Sequence, residues 1–74
     1  MAVYVHVGSR TFTMPDGVDT PQLQQDIQDA VDAKGFLKFE AQINGAALVV
    51  WVNTAVVENI VLDQNGVAVG FFSG

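Results

Sequence analysis

The dipeptide Asn44-Gly45 restricts the fold of this chain more than any other feature. It separates two runs, FLKFEAQI and AALVVWVN, that are rich in strand-forming residues. Asn-Gly favours a type I′ turn, and a two-residue turn fixes the register of the hairpin around it. On one face, this register pairs Leu37 with Val52, Phe39 with Val50, Ala41 with Leu48 and Ile43 with Ala46. This face is entirely apolar, and we expect a helix to cover it.

The opposite face of the same hairpin carries candidates for a contact surface. The register places Trp51 beside Lys38 and Val49 beside Glu40, with Phe36 on the same face. Tryptophan is enriched in interfaces, and an exposed apolar patch usually marks a contact. We therefore predict an interface here. The alternatives are that a loop or the C-terminal tail folds over these side chains, or that they line a pocket for a small ligand.

Two more tight turns predict two more hairpins. Gly8-Ser9 suits a type II′ turn, and Asn65-Gly66 suits a tight turn between ENIVLD and VAVGFF. The first of these hairpins places Tyr4 and His6 on one face, where we expect them to extend the interface if the hairpin joins the same sheet. The predicted apolar pairs are Val5 with Phe12, Leu62 with Val69 and Ile60 with Phe71.

A helix is predicted from about Pro21 to Ala33, since apolar residues recur there at helical spacing. Asp19 or Thr20 can cap its first turn, and Gly35 suits the left-handed position after its end. The opposite face of this helix is polar. Its repeated carboxylates are better explained as a solvated surface than as a cation site, because a calcium loop needs ligands on an irregular backbone. These carboxylates are Asp26, Asp29 and Asp32.

The order of elements is strand, strand, helix and then four strands, ββαββββ. It predicts one α+β domain over residues 1–74, with an antiparallel sheet and the single helix packed on one of its faces. A domain of this size buries only about 60% of the surface of its unfolded chain, and it usually needs reinforcement. The chain has no cysteine and therefore no disulfide, so we expect a homo-oligomer.

The charge balance limits the choice of partners. The net charge is −5, with only three basic residues, which leaves little to neutralise phosphates on nucleic acid or an anionic membrane. The longest apolar run, Ala46 to Val52, is far shorter than the roughly 20 residues that span a bilayer. The N-terminal segment does not have the basic region followed by an apolar region that is typical of a secretory signal. We expect a soluble, cytoplasmic protein.

Catalytic chemistry has few candidate groups in this sequence. His6 is the single histidine, so neither a pair of histidine ligands nor a relay with a second imidazole is possible. Ser9 lies in a tight turn, without the pattern that surrounds a nucleophilic serine. The sequence therefore predicts a non-enzyme with no metal and no cofactor.

Several segments carry a resemblance to a known group of proteins. Arg10, the helix positions Leu23, Ile27, Ala30 and Val31, the segment GFLKF after the helix, and VGFF near the end form the matching pattern. With these segments the chain loosely resembles a family of short actinobacterial proteins of unknown function. The resemblance supports the same α+β fold and nothing more, and a bacterial source and a bacteriophage source are equally compatible with it. It implies no activity.

Three functional hypotheses follow. The leading one is a non-enzymatic interaction module that joins copies of itself or a larger protein through its outer sheet face or an edge strand. The second is a binder of small molecules with a site between subunits, contacted by Tyr4, His6, Arg10 and Trp51. The third is a small Sm-like barrel that binds nucleic acid, which the acidic charge disfavours.

Overall fold

The fold is described from a computed structural model, which describes residues 2–57 and 59–72. It contains six strands and one α-helix in the predicted order. The elements are β1 (Val3–Val7), β2 (Arg10–Thr13), α1 (Thr20–Ala33), β3 (Phe36–Ile43), β4 (Ala46–Asn53), β5 (Asn59–Gln64) and β6 (Val67–Phe72). Glu58, which the sequence placed at the start of the fifth strand, lies outside the described residues. The α+β class is confirmed.

All three predicted hairpins are present in the predicted register. Asn44 and Gly45 have φ values of 52° and 80°, as a type I′ turn requires, and Asn65 and Gly66 repeat this geometry at 52° and 82°. Gly8 has a φ of 58°, the conformation that the first central position of a type II′ turn needs. The strand pairs follow from these turns, for example Leu37 with Val52, Val5 with Phe12 and Ile60 with Phe71.

The strands form one antiparallel sheet in the order β4-β3-β2-β1-β5-β6. The β3–β4 hairpin joins the rest of the sheet through a single residue pair, Thr13 with Gln42. β4 and β6 are the two ends of the order and do not pair with each other. The described strands therefore form an open sheet, which differs from the closed barrel that the nucleic-acid hypothesis assumed.

Helix α1 begins and ends as the sequence predicts, but the left-handed residue after it lies one position before the predicted glycine. The Asp19 carboxylate accepts a hydrogen bond from the backbone N–H of Gln22 at 3.1 Å, which identifies Asp19 as the cap. At the other end, Lys34 takes the left-handed conformation, with a φ of 53°. The prediction that Gly35 would do so is wrong. The Lys34 N–H bonds the carbonyls of the last turn, so the chain reverses before it reaches the glycine.

The core lies between α1 and one face of the sheet. Leu23, Ile27 and Val31 are the buried residues of the helix, which packs mainly on β3 and β6. The Phe12 and Phe39 rings meet edge to face, with centroids 5.5 Å apart. The buried strand residues are Val3, Val5, Leu37, Phe39, Ala41, Val52, Ile60, Leu62 and Phe71.

The helix covers less of the β3–β4 hairpin than the sequence predicted. Leu37, Phe39 and Val52 are buried, but Ile43 is 38% exposed and Leu48 is 47% exposed. The expectation that Leu48 points into the core is therefore wrong. The reason is the path of the helix, which packs on β3 and β6 and leaves the turn end of the hairpin uncovered. The hairpin thus presents apolar side chains on both faces.

Across residues 2–57 and 59–72, no helix is both long enough and apolar enough to cross a membrane.

Candidate functional site

Phe36 and Trp51 form an aromatic pair on the sheet face that lies opposite α1. Their ring centroids are 6.5 Å apart with an interplanar angle of 77°, an edge-to-face arrangement. The Lys38 Nζ lies 5.6 Å from the centroid of the Trp51 ring, within the range of a cation–π interaction. The hairpin register brings Lys38 and Trp51 together, because these residues are paired directly across β3 and β4.

These side chains are open to solvent. Trp51 is 63% exposed, Phe36 is 64% exposed and Val49 is 52% exposed. The alternative in which a loop or the C-terminal tail folds over them is not realised by residues 2–57 or 59–72, given this exposure. We call Phe36, Lys38, Val49 and Trp51 the outer patch. It is the arrangement expected of a binding surface, with rigid aromatic rings and one cation.

Tyr4 and His6 lie on the same face of the sheet as the outer patch but do not adjoin it. Tyr4 belongs to the row of Thr13, Gln42 and Ala47 across the sheet. Trp51 lies in the row of Lys38, four positions further along β3, which corresponds to about 13 Å. The first hairpin does join the same sheet, yet its register separates the two groups.

His6 has its own set of partners near the centre of the sheet. Its Nδ1 lies 2.9 Å from the hydroxyl oxygen of Thr11, and its Nε2 lies 3.6 Å from a carboxylate oxygen of Asp63. The Tyr4 ring is 6.5 Å from the imidazole, centroid to centroid. These cross-strand contacts tie β2, β1 and β5 together on the outer face.

Arg10 lies on the other face of the sheet. It pairs with Val7, whose side chain is on the same face as the buried Val5. The four contacts of the small-molecule hypothesis, Tyr4, His6, Arg10 and Trp51, are therefore not gathered on one face of a single chain.

β4 is an edge strand, a feature that the sequence did not reveal. It pairs with β3 over eight consecutive residue pairs, and within the described ranges no strand pairs with its other side. The type I′ turn makes Ile43 and Ala46 a hydrogen-bonded pair, and such pairs alternate along an antiparallel ladder. The backbone N–H and C=O groups of Ala47, Val49 and Trp51 consequently point toward the free edge.

The acidic side chains of α1 have partners within the helix. The amide groups of Gln22, Gln25 and Gln28 each donate a hydrogen bond to the carboxylate four residues later, at 2.7 to 2.8 Å. In residues 2–57 and 59–72, no group of three or more His, Asp or Glu side chains is placed to hold a metal ion. The polar helix face is a solvated surface with internal hydrogen bonds.

A shallow groove lies between the start of α1, the loop before it and β3. Its volume is about 350 Å³, and its lining includes Asp16, Asp19, Asp26 and Glu40, with Lys38 as the one basic residue. A site for a small ligand is usually enclosed and has a few converging polar groups, whereas this groove is open and four of its twelve lining residues are acidic. The outer patch and the β4 edge are the stronger candidate site.

Comparison with protein-family models, with curated proteins and with solved structures found no match to this chain.

Proposed function

We propose that this protein is a non-enzymatic interaction module, which joins copies of itself or a larger protein through the outer patch. The single observation that carries this proposal is the exposed Phe36–Trp51 pair on the sheet face that α1 does not cover. Covering these rings on association would remove apolar area from water, at about 25 cal/mol for each Å². We place this activity in the cytoplasm, because a chain without cysteine fits a reducing compartment.

The distribution of charge supports the same surface. Five of the eight acidic residues lie between Asp16 and Asp32, in the loop before α1 and in the helix itself. The charged residues on the outer face of the β3–β4 hairpin are Lys38 and Glu40, which have opposite signs. Two copies that approach through the β3–β4 hairpin bring fewer like charges together than two copies that approach through the helix.

Size-exclusion chromatography with light scattering at micromolar concentration tests the proposal. The wild-type protein is expected to have at least twice the mass of one chain, and Trp51→Lys is expected to be monomeric because it places a charge in the interface. Val56→Lys is the matched control, since Val56 is an exposed apolar residue in the turn after β4. Circular dichroism confirms that each variant is folded.

Two results would contradict the proposal of self-association. One is a wild-type protein that is monomeric at every concentration tested. The other is a folded Trp51→Lys variant that associates as strongly as both the wild-type protein and Val56→Lys.

A further inference from the structure

We propose that β4 pairs with β4 of a second copy, antiparallel and edge to edge, about a two-fold axis at Val50. This inference rests on the proposed function and specifies its partner and its geometry. The two copies meet along the β4 side of the outer patch, at Val49 and Trp51, and not at Phe36 and Lys38, which lie on β3. The resulting dimer has one continuous sheet that runs from one protomer into the other.

The free edge of β4 has unpaired backbone groups that a second strand can bond. Its outward N–H and C=O groups on Ala47, Val49 and Trp51 are presented along a straight ladder that has no bulge. Natural edge strands are usually blocked by a charged side chain, a proline or a bulge. β4 contains no charged residue and no proline. An unblocked edge of this length is a template for another strand.

The other edge strand, β6, is a poorer template. α1 packs against β6 itself, whereas at the other end of the sheet it packs against β3 rather than against the edge strand β4. β6 is also shorter, six residues against eight, and contains Gly70, which has no side chain to pack across strands. The edge that favours pairing is therefore β4.

A second copy of β4 fits this edge in both polarity and register. In an antiparallel pair, residues whose backbone N–H and C=O groups point to the free edge must lie opposite each other. Val49 of one copy can therefore lie opposite Trp51 of the other. This arrangement is self-complementary, because the same pair recurs on the other side of the two-fold axis. Aromatic and β-branched residues form favourable cross-strand pairs, and no two like charges face each other along β4.

The same register joins the exposed apolar residues of the two copies. On the outer face, both Trp51 and both Val49 side chains become neighbours around the axis. On the helix side, Leu48 lies opposite Val52 of the other copy and Val50 lies opposite its own equivalent. The pairing thus gives a neighbour to Leu48, which α1 leaves exposed.

A pair of single-cysteine variants tests the register, since the natural chain has no cysteine. In Val50→Cys the two cysteines face each other as a non-hydrogen-bonded pair, with Cα atoms about 4.5 Å apart, which a disulfide can span. Leu48→Cys is the control on the same face of β4. Its two cysteines lie four residues out of register, about 13 Å apart. Mild oxidation is expected to produce covalent dimers of Val50→Cys and to leave Leu48→Cys monomeric.

A second pair of variants tests the backbone pairing. Val49→Pro removes an N–H that points to the free edge and takes no part in the β3–β4 ladder. Edge strands tolerate proline at such positions. Val49→Thr keeps both the N–H and the β-branched shape. Light scattering is expected to show loss of the dimer in Val49→Pro and its retention in Val49→Thr, with the circular dichroism of a folded sheet in both.

The results separate this inference from the proposed function. If the wild-type protein associates but Val50→Cys crosslinks no better than Leu48→Cys, strand pairing at Val50 is wrong, although self-association stands. Retention of the dimer in folded Val49→Pro leads to the same conclusion. If the wild-type protein is monomeric throughout, the strand pairing and the proposed self-association both fail.

Discussion

The side chain of Thr54 joins the end of β4 to the end of α1 through the carbonyl of Ala30. The Thr54 hydroxyl lies 2.9 Å from the Ala30 carbonyl oxygen and also within hydrogen-bond distance of the Gly35 carbonyl. The backbone N–H of Thr54 donates to the same Gly35 carbonyl at 3.0 Å. Thr54 is only 1% exposed, so water does not replace these contacts. This residue therefore ties the helix to the hairpin that carries the outer patch.

Replacement of the Thr54 hydroxyl should destabilise the fold. Thr54→Val keeps the shape of the side chain but removes the hydrogen bond of the hydroxyl. Backbone N–H groups still donate to both carbonyls, so the expected cost is that of one hydrogen bond, about 0.5–1.5 kcal/mol in the free energy of unfolding. Thr54→Ser retains the hydroxyl and should lose less. Urea unfolding followed by circular dichroism measures both variants. Equal stability of Thr54→Val and the wild-type protein would mean that the hydroxyl contributes nothing to the fold.

The turn at Gly45 should be sensitive to substitution for a conformational reason. Gly45 has a φ of 80°, and a Cβ placed there would meet nothing within 4 Å, so the cost of Gly45→Ala is backbone strain rather than a clash. We expect a loss of about 1 kcal/mol or more in the free energy of unfolding. Gly35→Ala is the matched control, because Gly35 also has open space but no positive φ. If both variants unfold at the same urea concentration, the type I′ turn does not contribute to the stability of the hairpin.

Salt should strengthen self-association. Each copy carries a net charge of −5, so two copies repel at low ionic strength. Raising the salt concentration from about 0.01 M to about 0.1 M shortens the screening length from about 30 Å to about 10 Å and reduces this repulsion. Sedimentation equilibrium at both concentrations should show a tighter dimer at the higher one. Weaker association in salt would instead indicate that ion pairs between copies hold them together.

The elements and their local pairing were predictable because they depend on neighbouring residues. Asn44-Gly45, Asn65-Gly66 and Gly8-Ser9 each fixed a turn, and each turn fixed the register of its own hairpin. The position of Trp51 on the face opposite the helix followed from that register alone. The face opposite the helix could therefore be described before the structure was known.

Features that depend on distant contacts were not predictable in this way. The order of hairpins in the sheet placed β4 at an edge and separated Tyr4 from Trp51, and no local pattern encodes that order. The path of α1 across the sheet left Leu48 exposed, although its alternation resembled that of a core residue. Thr54 was missed because its partners, Ala30 and Gly35, are remote in sequence.

Fluorescence of the single tryptophan gives the most direct test of the central claim, that copies meet around Trp51. The chain has one tryptophan, 63% exposed in the isolated chain, so its emission reports on the outer patch alone. Over a dilution series at constant ionic strength, we expect the emission to shift to shorter wavelength and iodide quenching to fall as the protein concentration rises. An emission maximum and a quenching constant that stay the same from the most dilute to the most concentrated sample would contradict the account.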